Sequence, residues 1–517
     1  MLAKTYSYGL QGLDAFGVTI EVDVSRGLPA TNIVGLPDNA VKESKERIRS
    51  AIKNTGYKVV SSRTTFNLSP ADTRKEGPAF DLAMALAYLQ ASRQIQFADL
   101  SRYIFLGELA LDGRVKPVKG VLPIALASSE EFLGMIVPRE NAAEAALAHR
   151  LPIYPAETLQ EVLDFLDNPS SIPVFQSDLT SLLEQHDQHH GVDFNDVKGQ
   201  AHVKRGLEIA AAGGHNVLMI GPPGSGKSML AKRMPSILPD MTLEEALEVT
   251  KIYSIMGLIR SPNGIVTQRP FRSPHHTTSN VAITGGGSSP RPGEVTLSHH
   301  GILFLDELPE FNRNVLEVLR QPLEDHAVTI ARASGSLRFP ARFMLIAAMN
   351  PCPCGFYTDP KRACTCTPHQ IQRYVARISG PLLDRIDIHL EVPALDSTAM
   401  MSLQQPESSQ QIKRRAVQAR QRQHDRFAAG SNKKRPLACL ANAHMSHKEI
   451  KRFCVPTKDG QRLLKEAIEH LNLSARAYDK ILRVARTIAD MDNQDTIQST
   501  HISEAIQYRA LDRGWGQ

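Results

Sequence analysis

The hydrophobic pattern changes character several times along the chain. Near the N-terminus, VTIEVDV (residues 18–24) alternates apolar and polar positions, which predicts a half-buried strand. AVKESKERIRSAIKNTG (40–56) then carries apolar residues at helical spacing with Gly56 past the end, which predicts an amphipathic helix. Residues 1–167 therefore read as a mixed α/β domain. Residues 168–192 are polar with two prolines and read as a linker. From 193 to 395 short apolar runs alternate with helical patterns, the mark of a parallel sheet flanked by helices. Residues 396–517 are polar-rich and mostly helical. The expected fold class is α/β, with a helical lid after the parallel sheet.

Length and composition fit this division. A chain of 517 residues is too long for one core. Apolar residues at 42% and charged residues at 22% are ordinary for soluble protein. No apolar run approaches the roughly 18 residues of a membrane span, and MLAKTYSYGLQGLDAF has no secretory h-region. The expectation is a cytoplasmic protein with no membrane partner, in a compartment where structural disulfides are disfavoured. Charge is uneven. Lys413 to Arg435 holds nine Lys or Arg and one acid, Asp425, a local +8 that leaves the rest of the chain near −2 against an overall +6. Such a stripe suits a phosphate-rich partner, or it is a solvated helix face.

The strongest chemical signal is NVLMIGPPGSGKSMLAKRM. An apolar strand leads into Gly221-Pro222-Pro223-Gly224-Ser225-Gly226-Lys227-Ser228, followed by a helical pattern, so the phosphate-loop motif stands in its required context. Its glycines let backbone N–H groups surround phosphate oxygens. Lys227 would reach the β- and γ-phosphates of ATP, and Ser228 would ligate Mg²⁺. GILFLDE (301–307) is a buried strand ending in two acids. Asp306 would hold the Mg²⁺ through water, and Glu307 would act as general base on the attacking water. FMLIAAMN ends at Asn350, placed to orient that water. In GPLLDRIDIHLEV, Arg385 lies between two acids: either a local ion pair or a finger donated to a neighbour's γ-phosphate. Ser474 reads as an N-cap, with Arg476 in the first turn that follows.

Four of the six cysteines, Cys352, Cys354, Cys364 and Cys366, fall within fifteen residues just after Asn350. A disulfide framework, a redox switch and a metal clip are all conceivable. In a reducing compartment the spacing favours a tetrahedral Zn²⁺ site over disulfides, with free packed thiols as the rival. Cys439 and Cys454 read as packing residues. The His pairs at 275–276 and 299–300 lack cysteine or acidic partners at ligand spacing and are not expected to bind metal.

The order of phosphate loop, LFLDE, AAMNPCPCG, GPLLDRID and LSARAYDKILRVARTIAD resembles the Mg-chelatase-like AAA+ ATPases, most closely the ComM (YifB) branch. The resemblance spans essentially the whole chain. It identifies Lys227 and Ser228 with Walker A, Asp306 and Glu307 with Walker B, Asn350 with sensor 1, Arg385 with the arginine finger and Arg476 with sensor 2. It relates DFNDVKGQ (193–200) to the segment lining the adenine pocket. It implies an AAA+ P-loop core with a helical lid, a homohexameric ring, and ATP-driven branch migration of single-stranded, forked or branched DNA during natural transformation, alongside a RecA-type recombinase. The family also places a pore-facing insertion between the Walker motifs. Lys227 and Asp306 are 79 positions apart, and the insertion is assigned to residues 274–300, with Gly285 to Gly287 at its tip and Arg291 nearby.

RKEGPAFDLAMALA and GELALDGRVKPVKGVLPIALA resemble the two catalytic stretches of Lon-type proteases, implying a Lon-like (ribosomal S5 domain 2-like) first domain. The serine position is Ala79 and the lysine position Leu122, so a Ser–Lys dyad has neither member, and Lys119 has nothing to activate. Two alternatives share the ATPase: a magnesium-chelatase subunit, and an unfoldase without peptidase activity. The integrin-type metal motif of chelatase partners is absent, since Asp23-Val-Ser25-Arg-Gly27 does not fit it.

Overall fold

The computed structural model describes residues 1–96, 100–177, 191–287, 290–332, 335–357, 359, 362–394, 406–430, 441–471 and 474–509. They form two compact units. The first comprises Met1–His186 together with Ala246–Thr267, and the second comprises Asp187–Glu245 with Gln268–Gln517.

The first unit is built on a seven-stranded mixed sheet. Its strands are β1 (Leu2–Gln11), β2 (Asp14–Ser25), β3 (Ala30–Val34), β4 (Arg63–Ser69), β5 (Tyr103–Phe105), β6 (Gly134–Pro138) and β7 (Ile153–Ala156), in the order β3-β4-β2-β1-β5-β6-β7. In β2 the alternation of the sequence is realised: Val18, Ile20 and Val22 are fully buried, and Asp23 faces solvent. The expected amphipathic helix is α1 (Asn39–Asn54). Asp38 caps it by accepting from Val41 N–H at 2.8 Å, and Gly56 follows at φ 92°. Helix α2 (Asp81–Ala91) is apolar nearly all round and buried along its length. Its one buried acid, Asp81, accepts from Arg47 Nε at 2.6 Å and from the Ser44 hydroxyl, bonds that only partly offset the burial pushing its carboxyl towards the neutral form.

The segment Ala246–Thr267 lies between the two Walker motifs in sequence but is integral to this first unit. Gly120 N–H donates to the Ser254 carbonyl at 3.1 Å, the Ser254 hydroxyl donates to buried Glu144, and Lys251 pairs with Asp14 at 3.3 Å. Glu144 also accepts Leu122 N–H at 2.9 Å.

The second unit holds a five-stranded, all-parallel sheet: β8 (Val217–Ile220), β9 (Phe271–Arg272), β10 (Ile302–Leu305), β11 (Met344–Met349) and β12 (Ile388–Glu391), ordered β9-β10-β11-β8-β12. Strands β8, β10 and β11 are buried at every position, as expected for a parallel sheet covered on both faces. Helices α3 (Ala201–Gly213), α4 (Lys227–Arg233), α5 (Ser409–Gly430) and α6 (Ala475–Met491) belong to the same unit, and α3 and α6 contribute to one core with β8 and β12. Among the described residues no helix is long and apolar enough to cross a membrane.

Candidate nucleotide site

The order of strands puts β8 between β11 and β12, so the loop leaving its carboxyl end sits above a crevice between neighbouring strands. Gly224 and Gly226 adopt φ 78° and 89°, conformations that bring successive N–H groups to one side. Gly221 packs directly on the Val392 carbonyl at the end of β12, leaving no room for a Cβ. Gln200 braces the loop from outside, donating to Ser225 O at 2.9 Å and Pro393 O at 3.1 Å.

Lys227 opens α4 and is buried. Its ammonium donates to the carbonyls of Gly221 (2.7 Å) and Pro222 (2.9 Å) and to Asn350 Oδ1 (3.3 Å). Burial pushes its pKa down to about 8, partly opposed by the nearby Asp306 carboxylate. The Ser228 hydroxyl donates to Asp306 Oδ2 at 2.6 Å, so the two candidate Mg²⁺ oxygens already converge. Glu307, next along, lies in the left-handed region at φ 53°, which costs a non-glycine residue on the order of 1–2 kcal/mol. That conformation keeps its carboxylate out of the core, exposed and 3.6 Å from His276 Nδ1.

Asn350 ends β11, and the four cysteines follow it. Cys352 Sγ lies 3.3 Å from Cys354 Sγ and 3.6 Å from Cys364 Sγ, Cys354 and Cys364 are 3.5 Å apart, and all four sulfurs fall within 4.8 Å of one another. These separations far exceed a disulfide bond of about 2.05 Å. They are close to the roughly 3.8 Å edge of a tetrahedron of sulfurs about 2.3 Å from Zn²⁺. Cys454 is buried, as read from the sequence; Cys439 lies outside the described residues.

Arg385 and Arg476 are brought together, but away from this cluster. Strands β8 and β12 run parallel with Val217 opposite Ile388 and Ile220 opposite Glu391. The phosphate loop leaves one end of that pair, and Arg385 precedes the other, about 13 Å of strand away. Arg476 shares a cavity of about 330 Å³ with Arg385, Lys480 and Arg483, and donates to Asp384 Oδ2 at 2.9 Å rather than reaching Lys227. Arg385 donates to Glu324 and to the Pro381 carbonyl. Its backbone is fixed by Asn216, whose Nδ2 donates to Arg385 O at 3.1 Å, and by Lys480 on α6, which donates to the carbonyls of Asp384 and Ile386.

Much of the basic stripe is engaged within its own unit. On α5, Lys413 pairs with Asp240 (2.7 Å), Arg415 with Glu407 (2.7 Å) and buried Glu208, Arg422 with Asp495 (3.7 Å), and Arg426 with Asp490. Arg420 donates to the carbonyls of Ala211 and Ala212 at the end of α3. These cations fasten α5 to its own unit; Lys433, Lys434 and Arg435 lie outside the described residues. The assigned insertion contains a helix, Asn280–Thr284, and a short hairpin pairing Gly285 and Gly286 with Pro292 and Arg291, with Arg291 exposed. In the first unit the Leu122 side chain is fully buried.

Four residues escaped the sequence reading. Gln200, in the segment related to the adenine pocket, braces the phosphate loop. His276, whose histidine pair suggests at most a metal ligand, faces Glu307 instead. Asn216 and Lys480 lie within the phosphate-loop and LSARAYDKILRVARTIAD stretches, but those motifs give them no role, because their contacts arise from strand ends meeting a helix remote in sequence.

Comparison with known proteins agrees with this geometry. The family model for magnesium chelatase, subunit ChlI, matches residues 193–400, that for its C-terminal part matches 406–509, and a further model for subunit ChlI of Mg-chelatase matches 20–141. The chain is 44% identical over 516 residues to YifB of Salmonella typhimurium, and 42% identical over 515 residues to competence protein ComM of Haemophilus influenzae. Each alignment covers 99% of this chain and 98% of the relative. The magnesium-chelatase 38 kDa subunit of Rhodobacter capsulatus is 25% identical over 174 residues, 31% of this chain and 50% of that protein. With full-length identity above 40% and a parallel sheet carrying both Walker sequences, the chain belongs to the ComM/YifB family of magnesium-chelatase-like AAA+ ATPases.

Proposed function

We propose that the protein is a ring-forming, Mg²⁺-dependent ATPase that drives DNA branch migration during recombination linked to natural transformation. Lys227 grips the β- and γ-phosphates, Ser228 and Asp306 hold Mg²⁺, Glu307 is the general base and Asn350 orients the water. The four thiols hold a structural Zn²⁺. The observation that carries the ring is the separation within one unit: the Walker residues and Asn350 lie at the carboxyl ends of the strands, and Arg385 and Arg476 at the opposite end. A protomer arranged so cannot bring its own arginines to its own triphosphate, whereas head-to-tail neighbours in a closed ring can. The DNA substrate is supported by the full-length likeness to a protein named for competence, and not by α5, most of whose described cations bond within their own unit. The first domain, without a hydroxyl at Ala79 or an amine at Leu122, acts as a scaffold. ATP turnover measured with forked DNA, single-stranded DNA and unfolded casein tests this reading. Stimulation by forked DNA is expected; stimulation by casein alone would make the protein an unfoldase, and indifference to both would favour a chelatase-type partner.

A further inference from the structure

The cysteine loop touches the nucleotide machinery at two points, and both are steric or hydrogen-bonded rather than chemical. Its entry is Asn350, two residues before Cys352, whose Oδ1 accepts from Lys227 Nζ at 3.3 Å. Its turn is Gly355, at φ 87°, closed by a hydrogen bond from Gly355 N–H to Cys352 O at 3.0 Å. A Cβ on Gly355 would lie 2.6 Å from Pro223 Cδ, so this turn packs directly on the phosphate loop.

The exit is anchored as well. Thr367 follows Cys366 and caps the helix Pro368–Val375 through a reciprocal box with Gln370, and Tyr374 of that helix is buried in the core beside β11, hydrogen-bonded to the Asn350 backbone. Within the loop, N–H groups point at sulfur: Tyr357 N to Cys352 Sγ at 3.3 Å, Cys354 N to Cys366 Sγ at 3.4 Å and Cys366 N to Cys364 Sγ at 3.4 Å. Donors aimed at sulfurs suit thiolates more than thiols, and thiolates this close repel one another unless a cation sits among them.

Resting on the Zn²⁺ reading above, we propose that the four-cysteine clip positions the phosphate loop and Asn350, so that ATP turnover requires bound Zn²⁺ although the metal touches no nucleotide. The metal would add a cross-link to the packing and hydrogen bonds that hold Gly355 against Pro223 and the carboxamide of Asn350 against Lys227. A misplacement of about 1 Å at a water-orienting group costs on the order of 100-fold in rate.

The test uses the full-length protein. Zinc and iron are quantified per chain, zinc is then released with a mercurial and a chromogenic chelator, and the thiols are regenerated with excess dithiol. Turnover, affinity for a fluorescent ATP analogue and the circular-dichroism spectrum are recorded before release, after it, and after Zn²⁺ is restored. We expect one zinc per chain, a loss in kcat of about tenfold or more with a much smaller change in Kd, an unchanged spectrum, and recovery on adding Zn²⁺. Gly355→Ala should keep its zinc and lose turnover in the same way, and Cys364→His, which keeps a ligand, should retain both. Wild-type protein purified without zinc would overturn the metal reading. Stoichiometric zinc whose removal leaves kcat unchanged would overturn the positioning role alone.

Discussion

Glu324 accepts a hydrogen bond from the guanidinium of Arg385 within a single chain, and that contact competes with any role for Arg385 at a neighbour's triphosphate. Glu324 is half exposed, so the pair is worth at most about 1 kcal/mol after screening. Glu324→Gln should therefore lower the protein concentration giving half-maximal ATP turnover by about threefold. An activity loss as deep as that of Arg385→Ala would instead make Glu324 a support for the arginine.

If the arginines act across an interface, two inactive variants should complement each other. Lys227→Ala and Arg385→Ala are each expected to be inactive alone. Mixed one to one, about a quarter of the interfaces in a ring combine an intact Lys227 with a neighbour's intact Arg385, and turnover should return in proportion. A mixture as silent as its components would place Arg385 in its own protomer's chemistry.

Lys227 gives a pH signature. Burial lowers its pKa to about 8, and a bound triphosphate would raise it again, so binding takes up a proton when the pH exceeds 8. The sign follows: affinity for ATP is level below pH 8 and weakens above it, approaching about tenfold per pH unit. Titration of a fluorescent ATP analogue from pH 7 to 9.5 checks this. A flat profile through pH 9.5 would mean that the lysine keeps its ordinary pKa in the nucleotide-free protein.

Glu307→Gln should bind ATP and fail to hydrolyse it, giving a trap that retains DNA. His276→Ala should lower kcat with little change in nucleotide affinity, because its contact is with Glu307. His276→Asn, which preserves a hydrogen-bonding side chain, should recover part of the loss. Equal rates for all three histidine-position proteins would show that the contact is incidental.

Arg415 separates a structural cation from a DNA-binding one. Its removal leaves buried Glu208 poorly paired, at a cost of about 1–3 kcal/mol. Arg415→Ala should lower Tm by several degrees and leave the slope of log Kd against log salt for DNA unchanged. A shallower slope with Tm intact would restore α5 as a phosphate contact.

The sequence was most readable where chemistry demands a fixed local pattern. The glycines around Lys227, the acids after LFL and the clustered cysteines each declare themselves within a few residues, and the structure gathers them at the carboxyl end of one parallel sheet. The exposed side of α1 was equally legible, through the spacing of its apolar residues. What the pattern concealed were partners fixed by topology. A run of arginines looks the same whether its counter-ions are phosphates or Glu208, Glu407 and Asp490, and the acids lie up to two hundred residues away or more. Arg476 could be assigned to a helix but not to an end of the sheet, because strand order decides that. Nor did anything in residues 246–267 advertise that they complete a fold begun at the N-terminus.

That late-arriving segment has a consequence for biosynthesis. Glu144, pushed towards its neutral form by burial, finds the Ser254 hydroxyl that opposes this only after another hundred residues have been made. The N-terminal fold therefore stays unfinished while the ribosome translates the phosphate loop, and it can close only once residue 267 has been made.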